Sequence, residues 1–110
     1  MTRLLSQPLA TLDVEQSTLY VTGDVGMNAA AELVAAGAKW LETGGFTAVG
    51  FDFSGVEKAS SAVMSVLFEW LRSCKRHHIA VSAITLSAPL ERLASLSELD
   101  ALIHSPALAE

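Results

Sequence analysis

The chain is poor in several things that would announce a function. It has one cysteine, Cys74, in 110 residues. An internal disulfide is therefore impossible, and a reducing compartment is the simpler expectation. Basic residues are scarce, 7 against 12 acidic for a formal net charge of −5. That balance argues against nonspecific nucleic-acid binding, which needs a basic footprint. Long apolar runs are missing too. No stretch approaches the roughly 20 residues of a membrane-spanning helix, and the opening MTRLLSQPLATLD has no apolar core for a signal peptide. The expectation is a cytoplasmic protein that inserts into no membrane and reaches one only through a partner.

Catalytic patterns are equally thin. Gly23-Asp24-Val25-Gly26 is too brief for a phosphate loop, no Lys-Ser/Thr follows it, and it reads as a turn. His77 and His78 sit together at a helix exit and His104 lies near the terminus, with no ligand set around either. Nothing fixes Asp24 against Asp52 as a working carboxylate pair. No catalytic site, cofactor or metal is expected, and the chain reads as a non-enzyme.

What is present is material for one core. The sequence is 51% hydrophobic and 17% charged, which excludes general disorder and fits a single domain over residues 1–110 with a frayed C-terminal tail. Leu9 to Asp13 reads as an edge strand and Ser17 to Thr22 as a stronger one, with a hairpin turn at Glu15-Gln16. Asn28 is the candidate cap of a helix running to Glu42, with Leu33, Ala36, Trp40 and Leu41 as core residues. Thr43-Gly44-Gly45 ends that helix, and Phe46 to Phe51 reads as a central strand. A second helix runs from Ser60 or Ser61 to about Arg76. Ile79 to Ile84 is a further strand, Ala88 to Leu96 a short helix with Pro89 in its first turn, and Asp100 to Ile103 a last short strand. The alternation gives an α/β fold with a mixed, partly parallel sheet and helices mainly on one side.

The densest information lies in DFSGVEKASSAVMSVLFEWLRSCKRHH, residues 52–78. Val63, Val66, Leu67, Trp70 and Cys74 fall at helical spacing on one inward band. Met64, Phe68 and Leu71 extend the apolar surface around its shoulder, farther than one sheet should cover. They are read as an outward partner-binding patch. Arg72, Lys75 and Arg76 form a solvated helix end. At the other end Ser60 and Ser61 can cap the first turn, where a phosphoryl group would also meet free N–H donors. Asp52, Ser54 and Gly55 read as a turn, and Glu57-Lys58 as a loop pair that could rim an interface.

These motifs resemble the STAS family, the sulfate-transporter and anti-sigma-antagonist domains, over nearly the whole chain. TLYVTGDV resembles the family's strand and Gly-Asp/Glu turn. Asp52, Ser54 and Val56 match its Asp-x-Ser-x-Val segment, and Ala59-Ser60-Ser61-Ala62 stands where Asp-Ser-Ser-Gly or Asp-Thr-Gly-Gly usually stands. The resemblance implies a single STAS domain that binds protein partners. It places Ser60 at the position of the phosphorylatable serine of antagonists, and of a partner-binding hydroxyl in MlaB-type members. Ala59 and Ala62 depart from the pattern and speak against a phospho-switch. The resemblance therefore implies the MlaB-type role first: a regulatory subunit binding the ATPase of a phospholipid-moving ABC transporter, associated indirectly with its membrane subunits. An antagonist phosphorylated at Ser60 by an anti-sigma kinase is the alternative. The partner-binding set expected on this basis is Glu57, Lys58, Ser60, Ser61, Met64, Phe68 and Leu71.

Overall fold

The computed structural model describes residues 1–96. Five strands, β1 (Thr2–Ser6), β2 (Ala10–Glu15), β3 (Thr18–Gly23), β4 (Ala48–Gly55) and β5 (Ala80–Leu86), lie side by side in that order. Three helices, α1 (Met27–Thr43), α2 (Ser61–Arg76) and α3 (Ala88–Leu96), follow β3, β4 and β5. The first two strand pairings are antiparallel, and β3–β4 and β4–β5 are parallel, as helical crossovers require. The expected strand over Asp100–Ile103 and the terminal tail lie outside the described residues.

Alternation decides which face of the sheet is dry. Leu12, Leu19, Val21, Val49, Phe51 and Phe53 are buried, while Thr11, Thr18, Tyr20, Thr22 and Asp52 between them are only partly buried or exposed. Trp70 of α2 lies on the dry face, its ring 5.5 Å from Phe51 and 5.7 Å from Phe53. Its indole N–H donates to the Val34 carbonyl of α1 at 3.4 Å. Gly37 makes that approach possible, because a Cβ there would fall on the indole itself. Both long helices thus share one side of the sheet, and Leu90 and Ala94 of α3 join the same buried cluster. On the opposite face Arg3 Nε donates to Asp13 Oδ1 at 2.9 Å, which leaves Asp13 paired although buried and raises the guanidinium pKa.

Several local expectations are corrected. β1 was not foreseen: its apolar residues Leu4 and Leu5 are adjacent rather than alternating, since a register shift between Arg3 and Leu5 disturbs the ladder. Asn28 does not cap α1; the N-cap is Gly26, with no side-chain bond. The hairpin turn sits at Gln16-Ser17, with Gln16 at φ 55°. β4 starts later and runs farther than its apolar residues suggest, through Asp52 and Ser54 to Gly55. Those turn-forming residues stay in the ladder because Gly55 still pairs with Thr22, while Asp52 Oδ1 accepts from the Ser54 N–H at 2.8 Å and hydroxyl at 2.6 Å.

The largest correction concerns α2. Val63, Val66, Leu67, Trp70 and Cys74 are buried as expected, but Met64 (5% exposed) and Leu71 (8%) are buried with them. Phe68 is partly buried and packs against the core. The sequence reading allowed the helix only the sheet as cover. In the fold α1 packs along it as well, and Met64 and Leu71 belong to the cluster that includes α3. The outward apolar shoulder does not exist as a patch.

Candidate docking site at the ends of the parallel strands

The carboxyl ends of β3, β4 and β5 point the same way, so the loops that leave them gather at one end of the domain. In open α/β sheets this is where strands stop pairing and binding sites form. Antiparallel pairing brings the start of β2 to the same end, with Ala10 opposite Gly23. The Asp24 N–H donates to the Leu9 carbonyl at 2.8 Å and ties the β1–β2 turn to the loop after β3. Gly23 has φ 101°, and a Cβ there would fall on that carbonyl. Only glycine meets both demands at once.

The loop between β4 and α2 lies against this one. Val56 is fully buried and anchors it, its N–H bonded to Phe53 at 3.1 Å. Lys58 Nζ reaches Asp24 Oδ2 at 3.3 Å, a solvent-exposed pair worth about 1 kcal/mol or less. Glu57, Lys58 and Ala59 are exposed. Gly23, Asp24, Gly55, Glu57 and Lys58 line a cleft of about 350 Å³ between the loops.

The two serines at the helix start divide. Ser60 is the N-cap of α2, in extended backbone at φ −153°. Its hydroxyl accepts from the Val63 N–H at 3.3 Å and donates to the Val25 carbonyl of the neighbouring loop at 3.5 Å. It therefore caps the helix and links the two loops. Ser61, one residue on, is exposed. Of the seven expected site residues, Glu57, Lys58, Ser60 and Ser61 come together here. Met64 and Leu71 go to the core, and Phe68 packs partly against it.

Sequence reasoning missed three residues at this end. Asp24 is expected in a structural or rim role and stands outside the expected partner-binding set, yet it bonds to both neighbouring loops. Leu9 (69% exposed) and Met27 (86%) are, with Met1, the exposed large hydrophobics among the described residues. Leu9 follows Pro8 in a turn and Met27 follows the N-cap glycine of α1, so each sits where periodicity gives no inward face. That position was the available signal.

At the far end α2 closes on itself. The Ile79 N–H bonds to Cys74 at 2.8 Å and the His78 N–H to Lys75 at 3.3 Å, with His78 at φ 57°. This is a Schellman ending with histidine in the place usually held by glycine. Burial pushes the Cys74 thiol up to about 11, so it stays protonated and unreactive at neutral pH. No helix among the described residues is long and apolar enough to cross a membrane.

Comparison with known proteins agrees with this architecture. No curated protein sequence matches the chain. Among solved structures, the chain is similar to the anti-sigma factor antagonist SpoIIAA in its unphosphorylated form. The likeness has a TM-score of 0.66 at 14% identity and covers 83% of this chain and 82% of that one. At that identity it establishes the fold. Residues 10–104 match the family model described as Mlab, STAS domain. The mixed sheet and the helices on its dry side are therefore those of a STAS domain, and the chain belongs to that family.

Proposed function

We propose that this STAS domain is an MlaB-type regulatory subunit without catalytic activity. It would bind and stabilise the ATPase of an ABC system that maintains outer-membrane lipid asymmetry by moving phospholipid between membranes. Contact with the transporter's membrane subunits, and residence at the inner membrane on its cytoplasmic side, then come through the ATPase. The observation that carries this reading is the match of residues 10–104 to the family described as Mlab, STAS domain.

The local chemistry supports it. Ala59 and Ala62 replace the acid and glycine of the phospho-switch segment. The Ser60 hydroxyl is already committed to Val63 and Val25, so phosphorylation there would remove the O–H that donates to the Val25 carbonyl and break the link between the two loops. A subunit with no reaction of its own acts by binding one state of its partner more tightly than another. A tenfold preference shifts that equilibrium by about 1.4 kcal/mol. Binding at the converging loops would favour the assembled or active ATPase in this way.

The second reading is an anti-sigma-factor antagonist controlled by phosphorylation at Ser60. It draws on the likeness to SpoIIAA and on a serine at a helix start, where about −1.5 to −2 of added charge would remodel the docking end. Affinity capture of the tagged protein from its native cells separates the two. Recovery of an ABC ATPase with its membrane subunits is the expected outcome. Recovery of an anti-sigma kinase without the ATPase, with phosphate found at Ser60, would replace the first reading by the second.

A further inference from the structure

We infer that the cleft between the two converging loops receives a basic side chain, arginine or lysine, from a protein partner, flanked by apolar contacts to Leu9 and Met27. This deepens the docking role assigned to this end of the domain and does not depend on the partner being an ATPase. At about 350 Å³ the cleft is small for a ligand site, which commonly runs from about 300 to 1,000 Å³, and it suits a single long side chain. Gly23 and Gly55 line it without side chains of their own and leave backbone accessible.

Charge selects the occupant. Asp24 and Glu57 bring two carboxylates to the cleft and Lys58 one ammonium. Lys58 is held by Asp24 at 3.3 Å. Glu57 is exposed and has no ion pair among the described residues. The residual charge is negative, so an incoming phosphate or carboxylate meets repulsion despite the helix ends nearby, whereas a cation gains a partner. The flanks point to protein rather than a free cation. Leu9 is tied beside the cleft by the Asp24 N–H that its carbonyl accepts, and Met27 begins the helix that leaves the same loop. Both are exposed, whereas the other large apolar residues described, Met1 apart, are at least partly buried. Apolar anchors beside an Arg-accepting carboxylate are ordinary interface chemistry, and methionine adapts readily to different surfaces.

The test is an amide NMR titration of the whole chain with three capped tripeptides, Ac-Leu-Arg-Leu-amide, Ac-Leu-Glu-Leu-amide and Ac-Ala-Arg-Ala-amide. The first should give saturable shifts at Gly23, Gly55 and Glu57 with millimolar affinity, weakening with added salt. Replacing both leucines by alanine should weaken it several-fold. Glu57→Lys should weaken it roughly tenfold while leaving the rest of the spectrum in place, a reversal being larger than the loss of one exposed pair. No saturable shift up to about 10 mM, near the weak limit of millimolar binding, would overturn the inference. Equal binding of the Glu peptide, or indifference to Glu57→Lys, would do the same. Because no ATPase is present, these outcomes are independent of the capture experiment. Recovery of the ATPase with no peptide response removes only the basic-residue inference, and a peptide response without the ATPase removes only the transporter assignment.

Discussion

Two methionines show how differently the two regions of this domain are built. Met64, on the second turn of α2, is 5% exposed, and Met27, on the first turn of α1, is 86% exposed. Both stand near the start of a helix that leaves the same end of the sheet. Met64 is buried as a member of the cluster running from Ala10 to Ala94. Met27 follows a glycine N-cap, at a point where the chain has just left the ladder and nothing among the described residues covers it. The helix-covered face thus supplies stability, and the loop end carries the proposed docking site. A residue's type does not tell which it serves.

The sharpest way to break that distinction is to put the same charge at both sites. Met64→Asp buries a carboxylate among apolar groups and should cost more than about 3 kcal/mol, enough to unfold much of a small domain. Met27→Asp should change stability by less than about 0.5 kcal/mol, since an exposed acid in a helix's first turn is neutral or mildly favourable. Urea unfolding of the two variants measures the gap. Comparable losses would mean that the loop end is structural after all.

A subtler contrast lies in the buried thiol. The ordinary thiol value is 9.0, and burial raises Cys74 to about 11 in the folded chain. Between those values the unfolded chain has already lost the proton that the folded chain retains, so fewer protons are bound after unfolding and stability falls as pH rises. Below pH 9.0 the contribution is fully present, and it is gone above about 11. Thermal unfolding between pH 8 and 11 should show this decline, reduced in Cys74→Ala after allowance for that variant's lower starting stability. Thiol labelling at pH 8 should be slow in the native protein and fast in urea. Rapid native labelling would place Cys74 outside the core.

How much of this was legible follows from the same contrast. The α2 band was readable because Val63, Val66, Leu67, Trp70 and Cys74 recur with the helical period and all found the core. The strands from Leu19 and Val49 were readable by their β-branched and aromatic runs. Met64 and Leu71 were misplaced because one-dimensional spacing cannot count neighbours: the cover from other helices is a tertiary fact. β1 was missed because its register shift removes the alternation that identifies a strand. At the site, Glu57, Lys58, Ser60 and Ser61 lie in one short segment and could be grouped from sequence. Leu9, Asp24 and Met27 come from two other turns, brought there by the parallel crossover and the Asp24–Leu9 bond.

The smallest predicted effect separates the two adjacent serines. The Ser60 hydroxyl satisfies the Val63 N–H and reaches the Val25 carbonyl, so Ser60→Ala should cost about 1 kcal/mol, the usual value of an N-cap. Removing it frees a backbone donor at the helix start and loosens the link between the loops that form the cleft. Ser61→Ala removes an exposed hydroxyl from the first helical position, where alanine has the better intrinsic propensity, and should leave stability within about 0.5 kcal/mol. If Ser61 nevertheless touches the partner, its alanine variant should lower capture of the partner at unchanged stability. Ser60→Ala should lower both together. Equal unfolding midpoints for the two variants would remove the structural role of Ser60 and restore it as a hydroxyl free for modification.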